Sequence, residues 1–340
     1  MIGKQYGRAF AMPLSVAPMM DRTDRHFRYI MRQMTKHTLL YTEMVTTGAV
    51  LHGERDRIIG YNPIEKPLAL QLGGDDPQAL AECARIAEGE GYDEVNINVG
   101  CPSDRVQNGN FGACLMSQPE LVAEGVAAMR AAVKIPVTVK HRIGIDDFDS
   151  YEFMLRFVDV VSKSESDRFS VHARKAHLQG LSPKENRTVP PLRYDDVYRL
   201  KKERPDLCIE INGGIRTLED AQVHLQHVDG VMIGRAAYED PYIFAESDTK
   251  IFKDPNATIR SREEIVHACL DYADAWVKKG GRLHAVSRHL LTLFARQAGA
   301  RAFRRHISEQ APKIGSDSRI LIEALQKMKD AQPDLSLQVG

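Results

Sequence analysis

Of the five cysteines in this chain, Cys101 has the setting that points to chemistry rather than packing, because it lies between a glycine and a proline in Asn98-Val-Gly-Cys-Pro-Ser103. An ordinary thiol, with a pKa of about 8.5, is protonated at neutral pH and can act as a proton donor. Gly109 and Gly112 follow it, and a loop containing them can move over a substrate. Cys83, Cys208 and Cys269 fall on apolar helix or strand positions, where buried packing is the expectation. The cysteines are odd in number and scattered, with no CxxC pair. No disulfide framework or metal site is expected, and a reducing cytoplasm is the simplest setting.

A second group of polar residues terminates short apolar runs. In Val95-Asn-Ile-Asn-Val99 the strand period of two puts Asn96 and Asn98 on one face and the aliphatics on the other. Gln71, Lys140 and His172 end comparable runs. Asn212-Gly-Gly-Ile-Arg216 and Gly234-Arg235 offer unobstructed backbone N–H groups and a guanidinium, which suits phosphate. One Gly-Gly pair is only a tight turn, whereas two such loops in successive slots favour an anion. Lys140 has two functional readings: a charge opposing an anionic cofactor such as a reduced flavin, or the amine of a Schiff base.

The elements that must position these groups are readable as eight apolar runs, near Leu14–Ala17, Leu39–Glu43, Leu68–Leu72, Glu94–Val99, Val137–Lys140, Phe169–His172, Cys208–Ile211 and Gly230–Ile233. Helix starts lie between them. Asp76-Pro77 places a capping oxygen before an N1 proline, and Ser117-Gln-Pro-Glu120, Thr217-Leu-Glu-Asp220 and Ser261-Arg-Glu-Glu264 read as capping boxes. Alternation of strand and helix over eight units predicts a (β/α)8 TIM barrel, whose active site lies at the C-terminal ends of the strands. An open doubly wound sheet would carry a glycine-rich turn after the first strand, where Pro18-Met-Met-Asp21 stands instead. The strand ends Pro18, Met19, Glu43, Gln71, Asn98, Lys140, His172, Asn212 and Gly234 would then converge on one mouth.

After the last run the pattern turns helical, which divides the chain into a barrel over residues 1–250 and a C-terminal all-helical domain over 251–340. The chain's zero net charge conceals an excess of five positive charges from Pro255 to Gly340. Ala275 to Ser308 holds eight basic residues (Lys278, Lys279, Arg282, Arg288, Arg296, Arg301, Arg304 and Arg305) and no acidic one, which points to a polyanionic partner. Arg301, Arg304 and Arg305 share a helical face. No apolar run approaches the roughly 20 residues of a membrane span, and residues 1–8 lack the apolar core of an export signal. No feature points to a stable protein partner.

These motifs carry a family resemblance. Ser15-Val-Ala-Pro-Met-Met-Asp21, Leu68-Ala-Leu-Gln-Leu-Gly-Gly74, Asn96-Ile-Asn-Val-Gly-Cys-Pro-Ser-Asp104, Val137-Thr-Val-Lys140, Ser170-Val-His-Ala-Arg174 and Ile211-Asn-Gly-Gly-Ile215 resemble the flavin-dependent tRNA-dihydrouridine synthases. The segment from Cys101 to Met116, and Gly180-Leu-Ser-Pro-Lys-Glu-Asn-Arg187, resemble the A subfamily, which reduces uridines 20 and 20a of the tRNA D-loop. The resemblance implies FMN at Pro18, Met19, Met20, Gln71, Lys140, His172, Asn212, Gly213, Gly214, Gly234 and Arg235, with NADPH as reductant. It implies Cys101 as the catalytic acid, Asn98 at the target uridine, and Lys184, Arg187 and the segment holding Arg301, Arg304 and Arg305 as contacts to tRNA. That last segment, Gly299-Ala-Arg-Ala-Phe-Arg-Arg305, departs from the subfamily by having Phe303 where a tryptophan is commoner. The residues by themselves leave open a flavoenzyme for small pyrimidines or enones, a Schiff-base lyase and a non-catalytic RNA-binding barrel.

Overall fold

The computed structural model describes residues 12–103 and 109–331. The residues read for an export signal and Asp104 to Asn108 of the cysteine loop lie outside that range. Eight parallel strands, β1 (Leu14–Val16), β2 (Leu40–Thr46), β3 (Leu68–Gly73), β4 (Glu94–Val99), β5 (Val137–Arg142), β6 (Arg168–His172), β7 (Ile209–Asn212) and β8 (Gly230–Ile233), pair in sequence order, and β8 returns to β1. Closure is completed by Val16 N–H donating to Leu39 O at 2.9 Å and Leu39 N–H donating to Leu14 O at 3.1 Å. The result is a (β/α)8 barrel. All eight expected runs are strands, with β2 and β5 extending past the expected ends to Thr46 and Arg142.

Strand alternation sorts the chain into two cores. Outward residues such as Leu70, Val95, Ile97, Val139, Val171, Ile211 and Val231 belong to one large apolar cluster with the surrounding helices. Inside the barrel the apolar part is small: Ala17, Leu39, Tyr41, Ala69 and Met232. Most of the interior is polar, as hydrogen bonds between non-adjacent strands show. Arg168 of β6 donates through NH2 to both carboxylate oxygens of Glu94 on β4, at 2.6 and 2.7 Å, and to the Tyr41 hydroxyl on β2 at 2.8 Å. Its Nε faces Glu210 of β7 at 3.6 Å, and Glu210 also accepts from Ser15 Oγ at 2.6 Å and from Ser170 Oγ. The side chains of Arg168, Glu94 and Glu210 are fully buried. Burial alone would pull the Arg168 guanidinium down, but Glu94, Tyr41 and Glu210 around it hold it well above its usual value.

Of the four helix starts read from the sequence, three form as expected. Asp76 caps Pro77–Gly89 by accepting from Ala79 N–H, and Thr217/Asp220 and Ser261/Glu264 form reciprocal capping boxes. Ser117 does not cap the next helix. That helix begins at Pro119 after an uncapped Gln118, and the Ser117 hydroxyl turns back to donate to Cys114 O at 2.8 Å, closing a preceding 3-10 turn. A serine three residues before a glutamate has this competing local partner, and here it wins.

From Arg262 onward the described chain is helical. Phe303 and Ile307 of the helix Ala300–Gln310 are buried, as are Leu321, Ala324, Leu325 and Met328 of Arg319–Asp330, against which it packs. The helical part is fastened to the barrel through the segment after β1. Asp24 caps the helix Arg25–Arg32 and also accepts from Arg288 NH2 at 2.6 Å, with His289 Nε2 at 3.0 Å. Tyr29 stacks on Tyr272 with ring centroids 3.8 Å apart, and His26 Nδ1 lies 2.8 Å from the Tyr272 hydroxyl.

Replacing one partner of a buried ion cluster leaves the others uncompensated. Arg168→Met is expected to lower unfolding stability by about 3–5 kcal/mol, read as a shift in the urea midpoint of the purified protein.

Candidate active site

Stepping by two along each strand from the ionic base leads to the C-terminal rim. On β5 the series is Thr138, Lys140, Arg142; on β6 it is Arg168, Ser170, His172; on β4 it is Glu94, Asn96, Asn98. The rim therefore collects Lys140, Arg142 and His172 from neighbouring strands, with Arg174 just beyond β6 and Arg235 just beyond β8. Lys140 Nζ donates to Asn212 Oδ1 at 3.3 Å, and Asn212 Nδ2 donates to Met232 O at 2.7 Å. Arg142 is held by carbonyls alone: Nε donates to Gly100 O at 2.8 Å, and NH1 to Lys175 O at 3.0 Å and Asn186 O at 3.1 Å. Arg235 NH2 donates to Arg187 O at 3.1 Å, in the turn Glu185–Arg187 of the long connection after β6.

None of Lys140, Arg142, Arg174, Arg187 and Arg235 forms an ion pair among the described residues, so their charges act on one another. Burial pushes the Lys140 ammonium down to about 8, and Arg142 beside it adds to the shift. His172 is held well below the usual imidazole value, first by burial and then by Arg142, Lys140, Arg174 and Arg235. Burial pulls Arg187 down, helped by Arg235 and Arg22. Arg174 Nε is buried without a partner. Such a cluster binds an anion well, because the repulsion among the cations is relieved when negative charge enters.

The backbone beside these cations is open. Gly213 and Gly214 have φ of 119° and 75°, and a Cβ on Gly213 would come within 2.7 Å of His172 Cδ2. Tyr194 OH donates to Gly213 O at 2.6 Å, which fixes the turn. Pro18, Met19 and Met20 follow β1, and Met20 is exposed on the rim. Their loop is tied by Met19 N–H donating to Thr23 Oγ1 and Thr23 N–H donating to Met19 O, both at 3.0 Å.

Cys101 follows β4, half-buried, with its sulfur 3.5 Å from Ser103 Oγ. Asn98 determines how it sits. The Asn98 Oδ1 accepts from Gly100 N–H at 3.0 Å and Cys101 N–H at 2.9 Å, while Nδ2 donates to Gln71 Oε1 at 2.8 Å. Cys101 O accepts from Ala113 N–H at 2.9 Å, pinning the far side of the loop. The three cysteines expected as packing groups are placed so: Cys83 and Cys269 are fully buried, and burial pushes the Cys83, Cys208 and Cys269 thiols up to about 12.

The structure thus brings Gln71, Asn98, Cys101, Lys140, His172, Asn212–Gly214, Gly234 and Arg235 to one end of the barrel. A model of the family described as Dihydrouridine synthase (Dus) matches residues 15–331. The chain belongs to the dihydrouridine synthase family. It is 61% identical over 317 residues to the tRNA-dihydrouridine(20/20a) synthase of Synechocystis sp., covering 93% of this chain and 95% of that protein. Proteins of the same name from Vibrio parahaemolyticus (58% over 316 residues, 93% and 96% covered) and Escherichia coli K12 (56% over 317 residues, 93% and 91% covered) are similarly close. Among solved structures, a 2-naphthoyl-CoA reductase complex superposes with a TM-score of 0.55 at 11% identity, over 72% of this chain and 52% of that one, which shows a shared fold.

For a dihydrouridine synthase the rim holds more cations than the sequence motifs single out. Arg142 lies two residues past Lys140, so the same period of two that selects Lys140 also places Arg142 on the interior face. Arg22 packs over the Tyr238 ring at 4.4 Å. Lys184 is exposed at the start of the Glu185–Arg187 turn, and Arg301, Arg304 and Arg305 are exposed on the helix Ala300–Gln310. Among the described residues no hydrogen bond or ion pair joins these three arginines to the rim, and Arg305 is paired with Glu309 at 3.2 Å.

Gly213→Ala forces a side chain into a positive-φ turn against His172, at a cost of about 1–3 kcal/mol. Thermal unfolding of the purified variant is expected to occur at a lower temperature than for the unaltered protein.

Proposed function

We propose that this dihydrouridine synthase reduces uridine to 5,6-dihydrouridine at positions 20 and 20a of the tRNA D-loop, with FMN as its flavin and NADPH as the reductant. The match over nearly the whole chain to relatives named for that reaction carries the reading. The rim supports FMN on its own terms. The unpaired cations, the buried partnerless Arg174 Nε and the glycine turn at Gly213–Gly214 suit a ligand bearing a phosphate and an anionic ring edge.

In this assignment Gly213, Gly214, Gly234 and Arg235 would hold the phosphate, and Pro18, Met19, Met20 and Gln71 would border the ring. Lys140 and His172 would meet its anionic edge, where the Lys140 ammonium would oppose the negative charge. Reduced FMN, when bound, supplies the hydride that reaches C6 of the uracil. The C5=C6 bond is conjugated to the C4 carbonyl, so the charge that develops there is relieved by a proton at C5, and the Cys101 Sγ–H holds that proton. Asn98 sets the backbone of the Cys101 loop and would lie next to the base. A base must leave its stack to enter a recessed barrel mouth, which costs a few kcal/mol and is easier in a loop than in a stem. Lys184, Arg187 and the helical domain over residues 251–340 then carry the affinity for the rest of the tRNA, through Arg301, Arg304 and Arg305.

The deciding experiment maps dihydrouridine in tRNA from cells lacking this protein and from the same cells re-expressing it. Loss at positions 20 and 20a and return on re-expression are expected; an unchanged map overturns the assignment. Re-expression of Cys101→Ala is expected not to restore the modification, although NADPH still bleaches the bound flavin of the purified variant.

Replacing Arg301, Arg304 and Arg305 together is expected to weaken tRNA binding and flatten its dependence on salt, with FMN content unchanged. Filter binding across a salt series measures both quantities. Because Arg305 is already paired with Glu309, the Arg301/Arg304 double variant is expected to show most of the effect.

A further inference from the structure

A continuous line of hydrogen bonds runs from the buried ion pair of the barrel to the cysteine loop. Thr138 Oγ1 donates to Glu94 Oε1 at 2.6 Å, Asn96 Nδ2 donates to Thr138 Oγ1 at 2.8 Å, and Gln71 Nε2 donates to Asn96 Oδ1 at 2.8 Å. Asn98 Nδ2 donates to Gln71 Oε1 at 2.8 Å, and Asn98 Oδ1 accepts the N–H groups of Gly100 and Cys101. Glu94, Asn96 and Thr138 have no exposed surface, Gln71 has 1% and Asn98 8%.

The two ends of this line permit one polarity. Backbone N–H groups can only donate, so Asn98 must turn its oxygen to Gly100 and Cys101 and its nitrogen to Gln71. Gln71 must then present oxygen to Asn98 and nitrogen to Asn96, and Asn96 must present nitrogen to the Thr138 oxygen. The single Thr138 proton is left for Glu94. From the other end, Glu94 receives Arg168 on both oxygens and is an acceptor, so the Thr138 hydroxyl donates to it. Both ends demand the same orientation of all three amides. Chains of aligned bonds in a low-dielectric interior polarise and stiffen one another.

We infer that Glu94, Thr138 and Asn96 are positioning residues for Cys101, acting through Gln71 and Asn98 to fix the backbone that aims its thiol. None of the three reaches the rim. Their influence rests on rigidity: without the carboxylate anchor the amides are tied at the loop end alone, so Gln71 and Asn98 are free to shift and the Gly100–Cys101 backbone shifts with them. The inference builds on the proposed role of Cys101 as proton donor, and its test separates the two.

Thr138→Val preserves shape while removing both the acceptor for Asn96 and the donor to Glu94. Iodoacetamide labelling of Cys101 in the tRNA-free protein, followed by peptide mass analysis, reads the loop without any turnover. Labelling is expected to change severalfold in rate, and amide exchange in the peptide holding Gly100 and Cys101 to quicken. In the flavin-loaded enzyme, kcat on tRNA is expected to fall about tenfold or more with KM little changed, since sub-ångström placement of a reacting group sets the rate. Thr138→Ser is expected to restore all three readings. Asn96→Ala, which breaks the line one step nearer the loop, is expected to reproduce the Thr138→Val effects and serves if that variant does not fold. Unchanged labelling and exchange in a folded variant overturn the relay. Altered labelling with unaltered tRNA turnover in both variants keeps the relay but overturns Cys101 as the donor it serves.

Discussion

A single guanidinium shared between two carboxylates, in the interior of a closed cylinder, sets the conditions for everything above it. Arg168 neutralises Glu94 directly and faces Glu210, and the hydroxyls of Tyr41, Thr138, Ser15 and Ser170 supply the remaining donors. Without that satisfaction the carboxylates could not remain charged where they are, because an unpaired buried charge is far more costly than a paired one. The layer also explains how the mouth tolerates its cations. Glu210 lies on the strand that carries Asn212, and its charge partly offsets the forces pulling Lys140 down. Negative charge is kept at the base and positive charge at the rim, so the interior has a direction, and an anion entering from the open end meets the favourable side first.

The same rim is joined to the helical region by a few residues after β1. Oδ1 of Asp24 caps the helix Arg25–Arg32, Oδ2 receives Arg288, and His289 Nε2 lies against both oxygens at 3.0 and 3.1 Å. Burial raises the Asp24 carboxyl, but His289, the Phe27 N–H and Arg288 outweigh it and hold the group far below its ordinary value. Arg288 also donates through NH1 to Asp21 O at 3.1 Å, and the Asp21 N–H is taken by Glu43. Asp21 directly follows Met20, so the loop proposed to border the flavin and the anchor of the C-terminal helices share one short stretch of backbone. Placement of the C-terminal helices and placement of the loop after β1 are consequently not independent.

Much of this was legible in the sequence, for identifiable physical reasons. β4 runs over Glu94–Val99 as its alternation requires, because an apolar face against helices and a polar face inside a barrel produce a strict period of two. Two of the three capping boxes read from serine or threonine formed, since that chemistry is complete within four residues. The third failed at Ser117, whose hydroxyl had a nearer carbonyl. Arg142 was within reach of the same periodicity, but a basic residue ending a strand reads equally as a solvated charge. The Arg168, Glu94 and Glu210 cluster was not legible. Its members are 42 to 116 residues apart in sequence, and only closure of the sheet, which no local signal encodes, turns three strand-start charges inward to meet.

Composition also overstated how much positive charge the helical region has free. Of the eight basic residues in the acid-free stretch, Arg288 is spent on Asp24, Arg282 NH2 is held by Pro312 O at 3.1 Å, and Arg305 is paired with Glu309 immediately beyond the stretch. Arg296 lies close enough to Asp240 to pull on its carboxyl. Lys278, Lys279, Arg282, Arg296, Arg301 and Arg304 are exposed without an ion pair among the described residues, and of these Arg282 is already engaged by a carbonyl and Arg296 by a nearby carboxylate. Counterion release scales with the cations that actually meet phosphates, so in the proposed docking of tRNA the electrostatic part of binding follows the exposed, unpaired cations. Arg288 acts earlier, through Asp24, by fastening the helices on which that set is displayed. Phe303 works the same way: fully buried and 4.6 Å from Phe294, it anchors the inner face of the helix whose outer face carries Arg301 and Arg304. An aromatic residue at that position therefore serves to orient the arginines and need not touch the nucleic acid itself.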